Sequence, residues 1–222
     1  MSIQENLNKI KSSLPENVTL VAVSKTKPVT DLMEAYNAGQ RIFGENKIQE
    51  MVEKHEVMPT DIEWHMIGHV QRNKVKYMGP FVSLIHGVDN FKLLKEINKQ
   101  AKKHGRTIDC LLQIKIAEED SKFGMSAKEA SEILQSKTFS ELRNIRITGV
   151  MGMATYTDDQ NQIKMEFTLL KTTFDSIKNL ETFNFKPKII SMGMSGDYKL
   201  AIACGSTMIR VGSSIFGERN YN

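Results

Sequence analysis

The sequence predicts an α/β chain in which eight strands alternate with helices and close into a single parallel (β/α)8 barrel, the TIM-barrel architecture, with one extra helix ahead of the first strand. Three observations predict it. Apolar, β-branched runs such as Val18–Val23 recur along the chain, and such runs belong to strands buried on both faces of a parallel sheet. Stretches with helical periodicity separate them at an even spacing, which demands parallel strands joined by crossover helices. Eight such units fit in 222 residues with no low-complexity linker or internal repeat, so the expectation is one domain over 1–222. An open doubly wound sheet gives the same local signals, but no GxGxxG follows the first strand.

Taken in order, Ile3, Leu7, Ile10 and Leu14 recur at helical spacing, and Pro15 stops that first helix. The first strand is read over Val18–Lys25. A helix follows with Pro28 near its start and Gly39 suited to its C-terminal cap. Strands are then expected at 41–45, 62–68, 81–86, 107–116, 145–154, 188–192 and 208–211. Helices are expected at 46–57, 71–78 and 91–103, and Ser126 with Glu129 forms a capping box that opens another. Ile163, Phe167, Leu170, Phe174 and Ile177 mark a long amphipathic helix, and 197–204 a short one.

Composition excludes several function classes. The chain is 40% hydrophobic and 25% charged, ordinary for a globular protein. A net charge of +4 with mixed signs lacks the basic stripe that nucleic acid requires. Cys110 and Cys204 lie far apart, without metal-ligand spacing, and both read as buried thiols. No metal is therefore expected. The N-terminal stretch has no signal-peptide core and no apolar run spans a membrane, so a cytoplasmic location is the expectation.

In a barrel of this kind the chemistry sits at the C-terminal ends of the strands. Read so, strand one ends in Lys25, strand two in Gly44-Glu45-Asn46, strand three carries His65 and strand four ends at His86. Strand seven ends in MGMSGD just before a helix, and strand eight in Arg210-Val-Gly212-Ser213. Lys25 is either a solvated strand-end ammonium or an amine poised for Schiff-base chemistry. The corner formed by Ser195, Gly212 and Ser213 offers hydroxyls and backbone donors suited to phosphate, and Ser195 also suits a helix cap. A ligand bearing both an aldehyde and a phosphate fits the pair, and pyridoxal 5′-phosphate is one. Arg210 then points inward at the ring, the plain alternative being an ion pair at the barrel rim. A guanidinium accepts no hydrogen bond, so a pyridine nitrogen facing it stays unprotonated and is a weak electron sink.

The stretches VAVSKTKP, FGENKIQE, WHMIGHVQRNK, SKFGMS, GVMGMAT and SMGMSGDYKLAIACGSTMIRVGSSIFGERNY span nearly the whole chain. Together they resemble the pyridoxal phosphate homeostasis protein family, also called YggS-like or proline synthase co-transcribed homologues. The resemblance implies a barrel like the N-terminal domain of alanine racemase, with Lys25 carrying the cofactor as a Schiff base. It implies phosphate contacts from Ser195, Gly212 and Ser213, backbone from Met194, Arg210 at the ring nitrogen and Asn46 against the ring. Ser213 stands where the family often has Thr and keeps the hydroxyl. Met66, His69 and Val70 also depart from the commoner residues.

The implied role is to hold, buffer and deliver the cofactor to apo-enzymes that use it, with no catalytic residue. The chain ends where alanine racemase continues into a β-rich domain that supplies a second base, so a monomer is expected. Two alternatives stand beside it. One is a weak racemase or other pyridoxal phosphate enzyme, with His65 or His86 as an extra proton carrier; strand histidines are otherwise hydrogen-bonded core groups. The other is an aldolase-like barrel in which Lys27 lowers the pKa of Lys25.

Overall fold

The run Thr19–Val23 offers no charged side chain to water on either face, and it forms β1 with Val21 and Ala22 fully buried. The computed structural model describes residues 2–119, 123–180 and 182–218. In chain order it runs α1 (Ile3–Ser12), β1 (Thr19–Val23), α2 (Val29–Asn37), β2 (Ile42–Glu45), α3 (Ile48–Val57), β3 (Glu63–Met66) and α4 (Val75–Met78). There follow β4 (Leu84–Val88), α5 (Phe91–Lys103), β5 (Ile108–Gln113), α6 (Ala127–Gln135), α7 (Lys137–Ser140), β6 (Ile145–Met151) and α8 (Gln160–Ile177). The chain closes with β7 (Phe185–Ser191), α9 (Tyr198–Ala203), β8 (Met208–Val211) and α10 (Ser213–Phe216).

All the strands are parallel and neighbours in sequence are neighbours in the sheet, with β8 returning to β1 to close the barrel. Register puts Val21 beside Arg210 and Ala22 beside Val211. Successive side chains alternate, so two separate clusters form. Val21, Ile67, Leu84, Leu111, Met151 and Met208 fill the barrel. Leu20, Ala22, Phe43, Trp64 and Val211 face out and pack under the helices. Gly44 faces in, where a Cβ would lie 2.9 Å from Val21 and 3.1 Å from Ile67, so the filled interior leaves no room for a side chain there.

Helix ends follow their local chemistry. Ser2 with Glu5, and Ser126 with Glu129, form reciprocal capping boxes at α1 and α6. The extra helix α1 lies against α10, where Asn6 Nδ2 donates to the Ile215 carbonyl at 3.1 Å.

Several expectations need correction. β1 ends at Val23, and Lys25 lies in the turn beyond it. β4 starts at Leu84, because Phe81 and Val82 close a turn onto the Met78 carbonyl and Phe81 stacks on His55. β7 starts at Phe185, ahead of Pro187, which cannot donate to a ladder. The strand tolerates the proline because its register with β6 shifts between Ile147 and Gly149. There the two backbones come so close that a Cβ on Gly149 would sit 1.9 Å from the Ile189 carbonyl oxygen. Cys110 is buried as expected, but Cys204 is only half-buried. The structure adds two short helices to those the sequence predicts, α7 and α10. Ser121 and Lys122 of SKFGMS, and Arg219–Asn222 of the last stretch, lie outside the described residues. Among the described residues no helix is long and apolar enough to cross a membrane.

Candidate functional site

The C-terminal rim of the barrel gathers the polar residues the sequence singles out. Lys25 is half-buried in a β-turn that the Lys27 N–H closes onto the Ser24 carbonyl (3.1 Å). Thr26 stands at the third place of that turn with φ +62°, a sign normally left to glycine. Because β8 pairs with β1, Gly212 lies directly beside the strand that leads into Lys25. A Cβ on it would be 3.0 Å from the Val23 carbonyl oxygen.

The β7–β8 corner is tied together by its own donors. The Gly212 N–H donates to Ser195 Oγ at 3.2 Å. Ser195 therefore bridges the two loops and does not cap α9; Asp197 stands at the N-cap without a side-chain cap bond, its carboxylate accepting the Met194 N–H at 2.5 Å instead. That bond also engages the Met194 backbone donor. Burial raises the Asp197 pKa, against the Met194 hydrogen bond and the nearby Arg210 charge, which lower it. Ser213 is exposed at the start of α10, and Asn46 is half-buried just past β2. A Cβ on Gly68 would lie 2.4 Å from the Asn46 carbonyl oxygen, so the β3 loop packs tightly against that residue.

Arg210 points into the barrel and is 4% exposed, which rules out the rim ion pair. Nη1 donates to the Ser191 carbonyl (2.9 Å) and hydroxyl (2.6 Å), and Nη2 to the Gly152 carbonyl (3.0 Å). Desolvation lowers its pKa to about 10, with Asp197 opposing, so it remains a cation at neutral pH. The relay then runs on to histidines. His86 Nδ1 is 3.1 Å from Ser191 Oγ, and His86 Nε2 is 3.1 Å from His65 Nδ1.

Arg210 can only donate, so the Ser191 hydroxyl accepts from it. The donor and acceptor roles along Ser191–His86–His65 go with the histidine tautomers. Burial holds His65 at a pKa of about 3, and pushes His86 well below its ordinary value with help from His65 and Arg210. Both imidazoles are neutral.

These are the hydrogen-bonded core histidines foreseen. Lys27 is committed elsewhere: its ammonium donates to the carbonyls of Phe216 (2.9 Å) and Glu218 (2.8 Å) at the end of α10.

A family model described as alanine racemase, N-terminal domain, matches residues 1–220. The pyridoxal phosphate homeostasis protein of Pasteurella multocida is 36% identical over 235 aligned positions that cover 100% of both chains. That of Helicobacter pylori is 38% identical over 203 positions, covering 90% of this chain and 88% of its own. The chain belongs to the pyridoxal phosphate homeostasis protein family. A solved structure of another such barrel, PipY of Synechococcus elongatus with PLP bound, superposes with a TM-score of 0.88 at 33% identity over 97% of this chain and 100% of that one. Alanine racemase of Clostridium difficile shares the fold at a TM-score of 0.80 and 17% identity, over 61% of its length.

As a pyridoxal phosphate homeostasis family barrel, the chain brings Lys25, Ser195, Arg210, Gly212 and Ser213 to one sector, the meeting of β1, β7 and β8. Asn46 joins them from β2, next to β1. Sequence reasoning missed Ser191, which lies mid-relay, and the ionic group under the Lys25 turn. There Lys54 Nζ donates to the Ser24 carbonyl (2.8 Å), to Glu45 Oε1 (2.8 Å) and to Glu50 Oε1 (2.7 Å). Glu45, the last residue of β2, was the one available signal: a carboxylate at the buried end of a strand needs a cation over it.

Proposed function

We propose that this chain binds pyridoxal 5′-phosphate reversibly through Lys25 and serves intracellular vitamin B6 homeostasis as a carrier or buffer of the cofactor. The observation that carries the reading is the juxtaposition of the Lys25 turn with the Ser195–Gly212–Ser213 corner, set by the β1–β8 pairing. A primary amine and the Ser195 and Ser213 hydroxyls thus share one end of the barrel, as an aldehyde phosphate requires.

The residues present fit that group. Lys25 bonds the aldehyde carbon with loss of water, and hydrolysis returns both partners unchanged. Ser195, Gly212 and Ser213 hold the phosphate, with Met194 lining the corner and Asn46 against the ring. Arg210 makes three hydrogen bonds to described residues, and its five donors leave two for the ring nitrogen. When bound, the cofactor supplies an electron-withdrawing ring, and a guanidinium at its nitrogen keeps that ring unprotonated and its pull on electrons weak. That suits storage better than carbanion chemistry. His65 and His86 are neutral and committed to the relay, so no observation favours a racemase role for them.

The stretch 1–222 acts as one cofactor-binding unit, working as a monomer in the cytoplasm and handing the cofactor to apo-enzymes. The relatives named for this homeostasis, and PipY with PLP bound, support the reading. An absorbance spectrum of wild type and Lys25→Ala after incubation with pyridoxal 5′-phosphate tests it. The expected result is a protein-bound Schiff-base band in wild type alone, with native far-UV circular dichroism in both. An equal band in the variant removes Lys25 from the role.

A further inference from the structure

Beneath the Lys25 turn lies an ionic group that the binding corner does not use. Lys54 is 5% exposed and Glu45 is fully buried. The three ammonium protons of Lys54 are all engaged, by the Ser24 carbonyl and by one oxygen each of Glu45 and Glu50. Glu45 Oε1 also accepts from Ser24 Oγ at 2.6 Å, and Glu50 Oε1 accepts the Thr26 N–H at 2.5 Å. Backbone on both sides of Lys25 is thereby gripped: Ser24 by Lys54, Thr26 by Glu50.

Stability alone gives no reason for this arrangement. A dry ion group of this kind is matched or bettered by apolar side chains of similar size. Glu45 also keeps its second carboxylate oxygen buried without a partner among the described residues, a cost the site tolerates, and burial raises its pKa despite Lys54. What apolar residues cannot do is give hydrogen-bond partners to the backbone of a strained turn. Thr26, β-branched and at φ +62°, is in a conformation that persists only where its surroundings over-determine it.

We propose that Lys54, with Glu45 and Glu50, is the positioning group of the Lys25 turn: it holds Ser24 and Thr26 so that the Lys25 amine meets the aldehyde carbon of the cofactor, and so sets how tightly the covalent form is kept. The inference rests on Lys25 being the covalent anchor. The step it governs is balanced: amine and aldehyde form a C=N bond and release one water, and water reverses it.

The test compares two ligands on wild type, Lys54→Met and Thr26→Gly. Pyridoxal 5′-phosphate binds through the phosphate corner and Lys25. Pyridoxine 5′-phosphate has the same ring and phosphate but an alcohol in place of the aldehyde, so it reads the corner alone. In Lys54→Met the affinity for pyridoxal 5′-phosphate falls about tenfold or more, and that for pyridoxine 5′-phosphate stays within about twofold of wild type. Thr26→Gly, which frees the turn without touching the ion group, keeps the native far-UV spectrum and loses about fivefold for the aldehyde alone. Equal losses for both ligands in both variants, or no loss in either, overturn the proposal. A wild type that binds both ligands equally and yields no borohydride-stable adduct at Lys25 overturns the anchor reading itself, and this inference with it.

Discussion

Acid should destabilise the barrel through His65, by an amount the structure sets. Folded His65 stays neutral down to about pH 3, because burial disfavours its cation. In the unfolded chain the same side chain takes up a proton near its ordinary value of 6.5. Protons therefore favour the unfolded state: the contribution is intact above pH 7, declines as pH falls through 6.5, and goes on declining towards pH 3. Each unit is worth about 1.4 kcal/mol, so by pH 5 the loss from His65 alone is about 2 kcal/mol. His86 is shifted in the same direction and adds to it. Glu45 and Asp197 are shifted upwards and work in the opposite sense, stabilising the fold in acid, so a comparison with a variant is needed. His65→Gln keeps an acceptor and a donor but cannot titrate. Urea unfolding at pH 7.5 and 5.0 should show wild type losing about 2 kcal/mol more than the variant over that interval. Parallel losses would mean that folded His65 titrates normally. The neutral relay that orients Arg210 would then be wrong, and a histidine proton carrier would return to consideration.

Two further expectations concern the corner and its neighbour. Gly68→Ala places a Cβ 2.4 Å from the Asn46 carbonyl oxygen and 2.8 Å from its Cα, so backbone must move. A cost of about 1–3 kcal/mol follows, visible as a melting temperature lower by about 3–10 °C together with weaker cofactor loading. An unchanged melting temperature would contradict the packing. Ser195→Ala leaves the Gly212 N–H without its partner and removes a hydroxyl from the phosphate corner. Equilibrium dialysis should show pyridoxal 5′-phosphate affinity lower by about five- to tenfold, as expected for about 1–1.5 kcal/mol. Unchanged affinity would take Ser195 out of the site.

Much of this was legible in the residues because strand burial and barrel topology leave local marks. Unbroken apolar runs announce strands covered on both faces, and Lys25 just past β1 and Arg210 late in β8 fall at the C-terminal end of the barrel without any tertiary information. Strand limits were less legible where apolar residues serve turns, as Phe81 does, or where a bulge admits a proline, as in β7. The ion group was hidden for a different reason. Glu50 and Lys54 sit at i and i+4 on α3, a spacing that ordinarily decorates a solvated helix face. Only the packing of α3 over β2 and β3 turns that face inward onto Ser24 and Glu45. Ser191 was missed likewise, since a small hydroxyl at the end of a strand has no local sign that Arg210 and His86 converge on it.

Everything proposed for this site turns on the Lys25 amine as the anchor for pyridoxal 5′-phosphate. The most direct measurement is borohydride reduction of the loaded protein followed by peptide mass mapping. One pyridoxyl group per chain is expected, on the peptide that carries Lys25. A label on another lysine, or an unlabelled protein that takes up no cofactor, would contradict it.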